Sequence, residues 1–542
     1  MARRSISPAE LKARLRQPGE LAILDVREEA AHHAAKPFYA AFAPLSRLEI
    51  LIRDLVPRRA TPLVLLDDGN GLAERAADVL DAMGYSDLAV LDGGVPAWQA
   101  AGYELFSGVH VPSKAFGEVV EQQCGTPHIE AGDLKAMMDS GKPLVVLDSR
   151  PIEEFRNMSI PGGVDAPGAE LAYRVHDMAP DPSVPVVVNC AGRTRSIIGA
   201  QSLINAGIPN PVFALKDGTM GWTLAGFDLD HGRDVMAPDP SAEGLARAQA
   251  CAAEVARRYG VRSLSLAGLD RLRRESADHS LYVLDVRSPA EYEAGHLPGA
   301  ASAPGGQLVQ ETERWIATLG ARVVLVDDTG VRATMTASWL LQMGWEEVFV
   351  LEGGIVGRTL TRGAWKPNLA GLQLDPRPPL RVEELRAMID RDEALVIDLA
   401  TSQDYIKGHI PGAWFAIRAE LDEAVTRMPG TDVYVLTSPD NVLARLAAES
   451  LRQLTRKSVL TLEGGTRGWV AAGGALASGP ERMASEARDV ALKPYHHPDE
   501  IAQRMRDYLV WEVGLVAQIA RDGDHRFRVG PLQNTAASVA EA

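Results

Sequence analysis

Cysteine is scarce in this chain: Cys124, Cys190 and Cys251 are the only three among 542 residues. An odd number at wide spacing excludes a disulfide framework and a paired zinc-ligand pattern, so each is read as a free thiol in a reducing compartment. Long apolar runs are missing too. No segment approaches the length of a membrane span, and the N-terminal MARRSISPAELKARL lacks the apolar stretch of a secretion signal, so a cytoplasmic location is expected. Positive charge is in deficit: 56 Lys and Arg stand against 72 Asp and Glu, for a net charge of -16. Such a field repels nucleic acid and anionic membrane, and neither is expected as a partner. Any anionic ligand must be drawn in by local charge.

What is present is ordinary globular composition, with 46% hydrophobic and 24% charged residues. The length calls for several cores. Internal repetition supplies them. An apolar strand ending in aspartate recurs as AILDVR, VVLDSR, YVLDVR and LVIDLA, ending at Asp25, Asp148, Asp285 and Asp398. A second signature follows each at nearly constant distance: VLDGGVPAW, ALKDGTMGW, VLEGGIVGR and TLEGGTRGW, with Asp92, Lys216, Glu352 and Glu463 before the turn. Between the two lies a short apolar strand (PLVLLD, PVVVNC, RVVLVD, VYVLT), then a loop and a helical pattern. The alternation predicts an α/β protein of four tandem domains, each a parallel sheet with helices on both faces. The expected domains are 1–110, 124–235, 255–368 and 376–478, followed by a helical tail at 479–542.

Copies three and four add EYEAGHLPGA (291–300) and DYIKGHIPGA (404–413) soon after the first strand. Together with LDVR, the loop led by Cys190 and the closing GG-x-x-x-W, this resembles the rhodanese domain, over nearly all of residues 1–478. Copy one departs with AAKPFYAA, copy two with NMSIPGG, and copy three ends on Arg358 where the others have Trp98, Trp222 and Trp469. These glycine, proline and histidine positions shape the turn that leaves the strand.

In PVVVNCAGRTRSIIGAQSL (185–203) three valines and Asn189 lead to Cys190, and a short loop with two arginines opens a helix. Counting back from the second signature, the equivalent positions are Asp67, Asp327 and about Thr437, so one copy is expected to be active. Ligands of open α/β sheets sit beyond the carboxyl ends of the strands, where a loop opening a helix aims amides inward. Ala191, Gly192, Arg193, Thr194, Arg195 and Ser196 are therefore the expected binding loop, with Ser196 placed to cap the helix. Helix N-termini and cations favour a thiolate.

Arg195 stands five positions after Cys190, one fewer than the cysteine phosphatases require, which favours sulfur over phosphoryl chemistry. The resemblance implies double displacement: Cys190 takes a sulfane sulfur, holds it as a persulfide, and passes it to cyanide or a thiol. It also implies that basic loops suit thiosulfate and uncharged ones mercaptopyruvate, so Arg193 and Arg195 favour thiosulfate. A persulfide-carrying scaffold fed by a partner protein is the alternative. No cofactor or metal is called for, and His496 and His497 lack a third ligand nearby. The tail helix carries Ile501, Met505, Tyr508, Leu509, Val516 and Ile519 near helical spacing, and should bury that face on a neighbouring copy or on a second chain as a homodimer. A helix around 241–259 is expected to join copies one and two to copies three and four. From about residue 530 the composition reads as disordered.

Overall fold

The structure is a computed structural model that describes residues 4–531 apart from 370, 373, 497 and 498. Four sheets are present, one for each repeat. In copy two the order is His128–Ile129, Val212–Leu215, Val186–Asn189, Val145–Asp148, Val164–Asp165, all parallel. Copies one and three repeat that order. Copy four has four strands, with a single bridge from Leu380 to Leu462 where the others have an edge strand. The central strand Val186–Asn189 is buried along its whole length, which is why PVVV shows no polar alternation.

The strand-end aspartates hold the turn that follows them. Asp148 takes the Arg150 guanidinium with two bonds of 2.8 and 2.7 Å, and Asp25–Arg27 and Asp285–Arg287 repeat the pair. Arg150 also donates to Met158 O, so it is scaffold. In copies three and four the motif histidines stack on the tyrosine of the same motif and bond its carbonyl oxygen, as His296 on Tyr292 and His409 on Tyr405. Lys36, on the equivalent backbone bridge of copy one, donates to His32 O and Gly108 O instead.

The expected grouping of copies one and two against three and four is not what the chain adopts. Copy one shares a core with copy four, sealed by Arg418 on Glu49 with two bonds of 2.6 Å. Copy two packs on copy three, where Arg332 reaches Glu170 at 2.8 Å and Trp339 donates to Ser202. A Cβ on Gly168 would stand 2.6 Å from Gly306 Cα, so the two backbones touch there. Copy three also lends Thr318–Leu319 as an antiparallel edge to the sheet of copy one. The helix Ala242–Tyr259 forms as expected but lies against helices of copies two and three. Sequence order could not show this, because domain pairing depends on surfaces far apart in the chain.

The tail folds into one helix, Ile501–Asp522, which lies on the helix Val111–Cys124 that connects copies one and two. Leu515 and Ile519 enter a cluster with Phe38, Phe106, Val111, Ala115 and Val119. Burying two such side chains contributes roughly 1.5–3 kcal/mol each. Asp522 and Asp524 close on Lys12 at 2.6 Å. Most of the apolar face is thus covered by this chain's own copies and connecting helix, while Ile501 at its start stays exposed. The side chains of His496 and His497, and the C-terminal stretch 532–542, lie outside the described residues. Among those described, no helix is long and apolar enough to cross a membrane, and no three His, Cys, Asp or Glu residues cluster to hold a metal ion.

Candidate active site

Two turns meet at the end of the central strand. The glycine of the second signature presses on the strand-end residue: a Cβ on Gly218 would stand 2.4 Å from Cys190 O. Thr219 and Met220 then donate backbone N–H bonds of 2.8 and 3.0 Å to Cys190 O and Ala191 O. The same contact recurs as Val95 on Asp67 O, Ile355 on Asp327 O and Thr466 on Ser438 O. This identifies the residue equivalent to Cys190 in every copy. In copy four it is Ser438, one position beyond the Thr437 expected from counting; Thr437 pairs with Asp398 as Asn189 does with Asp148.

What the other copies do there is informative. Asp67 accepts from the N–H groups of Gly69 and Ala73 at 2.8 and 3.0 Å, and Asp327 from Gly330 and Arg332 at 2.8 and 3.0 Å. Their carboxylates occupy the amide cradle formed by the loop and the first helical turn. Cys190 leaves the strand at the same point and is 2% exposed. In copy two the helix runs Thr194–Ala206, so the N–H groups of Thr194, Arg195 and Ser196 have no acceptor within the helix. The cap differs from expectation. Ser196 is not the N-cap residue; Arg193 holds that place, and the Ser196 hydroxyl turns back to donate to Arg193 O at 2.8 Å.

Charge around the loop is closely paired. Arg193 bonds Glu118 at 2.7 and 2.9 Å, Asp217 at 3.0 Å, and Glu121 as well. Its guanidinium is therefore shared among three carboxylates rather than left free. Arg195 binds both oxygens of Glu154 and reaches Gln307 of copy three at 3.2 Å. Burial opposes the Arg195 charge, but the Glu154 carboxylate, with a smaller contribution from Cys190, outweighs it and pushes its pKa up. Burial likewise opposes ionisation of Glu154, yet Arg195, Lys493 and Arg150 pull it down to about 2. Copy three, whose strand ends in Asp327 instead of cysteine, keeps this pair as Arg332 and Glu291, so the pair holds the loop whether or not a cysteine is present.

The sequence did not reveal that the loop is roofed from outside its own copy. Lys114 and Glu118 come from the helix Val111–Cys124, and Tyr508, Leu509 and Glu512 from the C-terminal helix. A Cβ on Gly192 would lie 3.2 Å from Glu512 Oε2 and 3.4 Å from the Tyr508 ring. Lys114 bonds Glu512 Oε1 at 2.7 Å, and the hydroxyls of Thr194 and Tyr508 donate to the same oxygen at 3.2 Å. Burial first and then the Glu512 carboxylate push the Tyr508 pKa up, and Cys190 lies close enough to add to the rise. The only forewarning was the apolar stripe of the tail, which contained Tyr508 and Leu509. Cys124 is exposed and Cys251 half-buried, and burial pushes both thiols up. Neither leads a loop of this kind.

The Rhodanese-like domain family model matches residues 7–101, 130–225, 268–359 and 381–472, more than half of the chain. The solved structure of a thiosulfate sulfurtransferase from Pseudomonas aeruginosa superposes with a TM-score of 0.94, 48% identity, and coverage of 97% of this chain and 100% of that one. Curated relatives match over shorter stretches. A tRNA uridine(34) hydroxylase from Bacillus velezensis is 30% identical over 136 residues, 24% of this chain and 39% of that protein. The putative thiosulfate sulfurtransferase SseB from Mycobacterium tuberculosis is 29% identical over 137 residues, 23% of this chain and 46% of that protein. The chain thus spans under half the length of these two curated relatives.

Proposed function

Because this chain belongs to the rhodanese-like family, we propose that it is a sulfurtransferase in which Cys190 takes the sulfane sulfur of thiosulfate, holds it as a persulfide, and delivers it to a thiol or cyanide. The observation that carries this reading is the single substitution pattern at the strand end: Asp67, Asp327 and Ser438 in three copies, cysteine in one. Two of those copies bind a carboxylate in the cradle. A cradle that receives an anionic side chain suits a thiolate, and then a persulfide anion, by the same preorganised amide field.

In the first half-reaction the Cys190 thiolate attacks the outer sulfur of thiosulfate, a new S–S bond forms, and sulfite leaves with the electron pair of the broken bond. In the second, the acceptor takes that sulfur and the thiolate returns. Ala191 to Ser196 line the loop, and Arg195, itself held by Glu154 but close enough to Cys190 for their charges to interact, is the cation we assign to the sulfonate. The thiosulfate assignment is supported by this basic loop and by the printed name of the 48% identical neighbour. A scaffold loaded by a partner protein fits less well, since Cys190 is buried beneath a helix where a small donor is easier to admit than a protein surface.

The test is to incubate the purified chain with thiosulfate and measure intact mass, then add cyanide and follow thiocyanate. One added sulfur on Cys190, discharged by cyanide, is expected. Modification of a different cysteine, or none, rejects the reading.

A further inference from the structure

The roof of the Cys190 loop contains a buried carboxylate oxygen with no hydrogen-bond partner among the described residues, Glu512 Oε2. Glu512 is 0% exposed, and its other oxygen carries all of its bonds, to Lys114, Thr194 and Tyr508. Leaving a buried carboxylate oxygen without a donor costs stability. Oε2 faces the loop at Gly192, two residues from the nucleophile. Sulfur acceptors differ in one respect that such a group could read. A thiol must lose a proton before its sulfur can attack, whereas sulfite at alkaline pH has none to lose.

We propose that Glu512 is the proton acceptor for thiol substrates in the second half-reaction, resting on the persulfide reading above. The thiol proton passes to Glu512 Oε2, and the thiol sulfur forms a bond to the outer sulfur of the Cys190 persulfide. The bond between that sulfur and Cys190 Sγ breaks, so Cys190 leaves as thiolate and the product as the acceptor's persulfide. Lys114 holds the carboxylate in place through its 2.7 Å bond to the other oxygen, Oε1. The groups facing Glu512 are Lys114 and Glu118 from the connecting helix, Tyr508 from its own helix, and Gly192 and Thr194 of the Cys190 loop. The C-terminal helix, outside every repeat, thereby supplies an acceptor-selecting group to copy two.

The test uses single turnovers of the full chain preloaded with thiosulfate, discharged by 2-mercaptoethanol or by sulfite at about pH 8, with rates taken on the loaded fraction. In Glu512→Gln the ratio of thiol to sulfite rates should fall about a hundredfold, within the usual range for a general base. It should recover at higher pH, where the thiol ionises unaided. Glu512→Gln strands the Lys114 cation, so Glu512→Gln/Lys114→Met is measured as well, and should show the same selective loss if circular dichroism confirms folding. Glu512→Asp should restore part of the ratio. An equal fall in both rates, or an unchanged ratio in both variants, overturns the assignment while leaving the persulfide reading intact. A wild-type chain that takes no sulfur from thiosulfate overturns both.

Discussion

Copy two and copy three are built alike and differ where chemistry is decided. Both have the strand-end Asp–Arg pair, the glycine turn pressed on the loop, and the arginine five positions on, tied to a glutamate. Copy three ends its strand in Asp327, whose carboxylate already takes the cradle amides; copy two ends in Cys190. The cradle is thus a property of the fold, while the cysteine and the roof over it are particular to one copy. Copies one and four make the same point with Asp67 and Ser438.

The comparison breaks most simply at the nucleophile. Cys190→Ser should abolish thiosulfate:cyanide turnover, by more than about a thousandfold, while Cys124→Ser and Cys251→Ser leave it nearly intact in the same assay. Asp327→Cys, Asp67→Cys or Ser438→Cys in the Cys190→Ser background should restore no more than about a hundredth of the wild-type rate. These loops lack the paired arginines, copy three having only Arg332 and copies one and four none, and they lie outside the roof of the C-terminal helix. Efficient turnover by any of the three would mean that the fold alone suffices.

Next in size is the loop arginine. Arg195→Ala should lower kcat/KM for thiosulfate about ten- to a hundredfold, since a charge-assisted contact is worth roughly 1.5–3 kcal/mol. Mercaptopyruvate measured alongside separates donor binding from loop shape. Arg193→Ala strands Glu118, Glu121 and Asp217, and should depress both donors alike. A selective loss with thiosulfate would make Arg193 a donor contact after all.

The smallest effect lies in copy four, where LVIDLA has no arginine after the aspartate. Burial there, opposed by the Ala400 N–H and Thr466, pushes Asp398 up to about 7. A raised carboxyl pKa means the folded state holds the proton more tightly than the unfolded one. Stability is therefore lost as pH climbs from about 4 to about 7, and the loss is complete above that. Asp398→Asn should raise the thermal midpoint of unfolding most at about pH 8, with the gain vanishing near pH 4. In copy three, Asp285→Asn should destabilise across that range, because it leaves Arg287 buried without its partner.

Much of the site was legible from local spacing. Four repeats, the parallel sheets, Cys190 at a strand end and the loop Ala191–Ser196 all follow from short-range pattern, because strand burial and turn geometry act over a few residues. The off-by-one at copy four arose where the repeat lacks a landmark: without cysteine or aspartate, only the Thr466 N–H on Ser438 O marks the position. The role of Arg193 was less visible. Its partners Glu118 and Glu121 lie over 70 residues away on a connecting helix, beyond the reach of any local pattern.

Local pattern alone was enough for the unit that repeats, the one copy with cysteine at the strand end, and the loop that follows it, since each depends on side chains near one another in the chain. Only the tertiary structure decided that copy one pairs with four and two with three, that Arg193 is spent on ion pairs, and that Lys114, Tyr508 and Glu512 roof the loop. Those outcomes depend on how apolar faces exclude water together. An amphipathic tail records that it must be covered, but the burial energy is non-directional and does not say by what. The C-terminal helix found its cover over the Cys190 loop, bringing a carboxylate more than 300 residues distant in sequence to within bonding distance of Thr194.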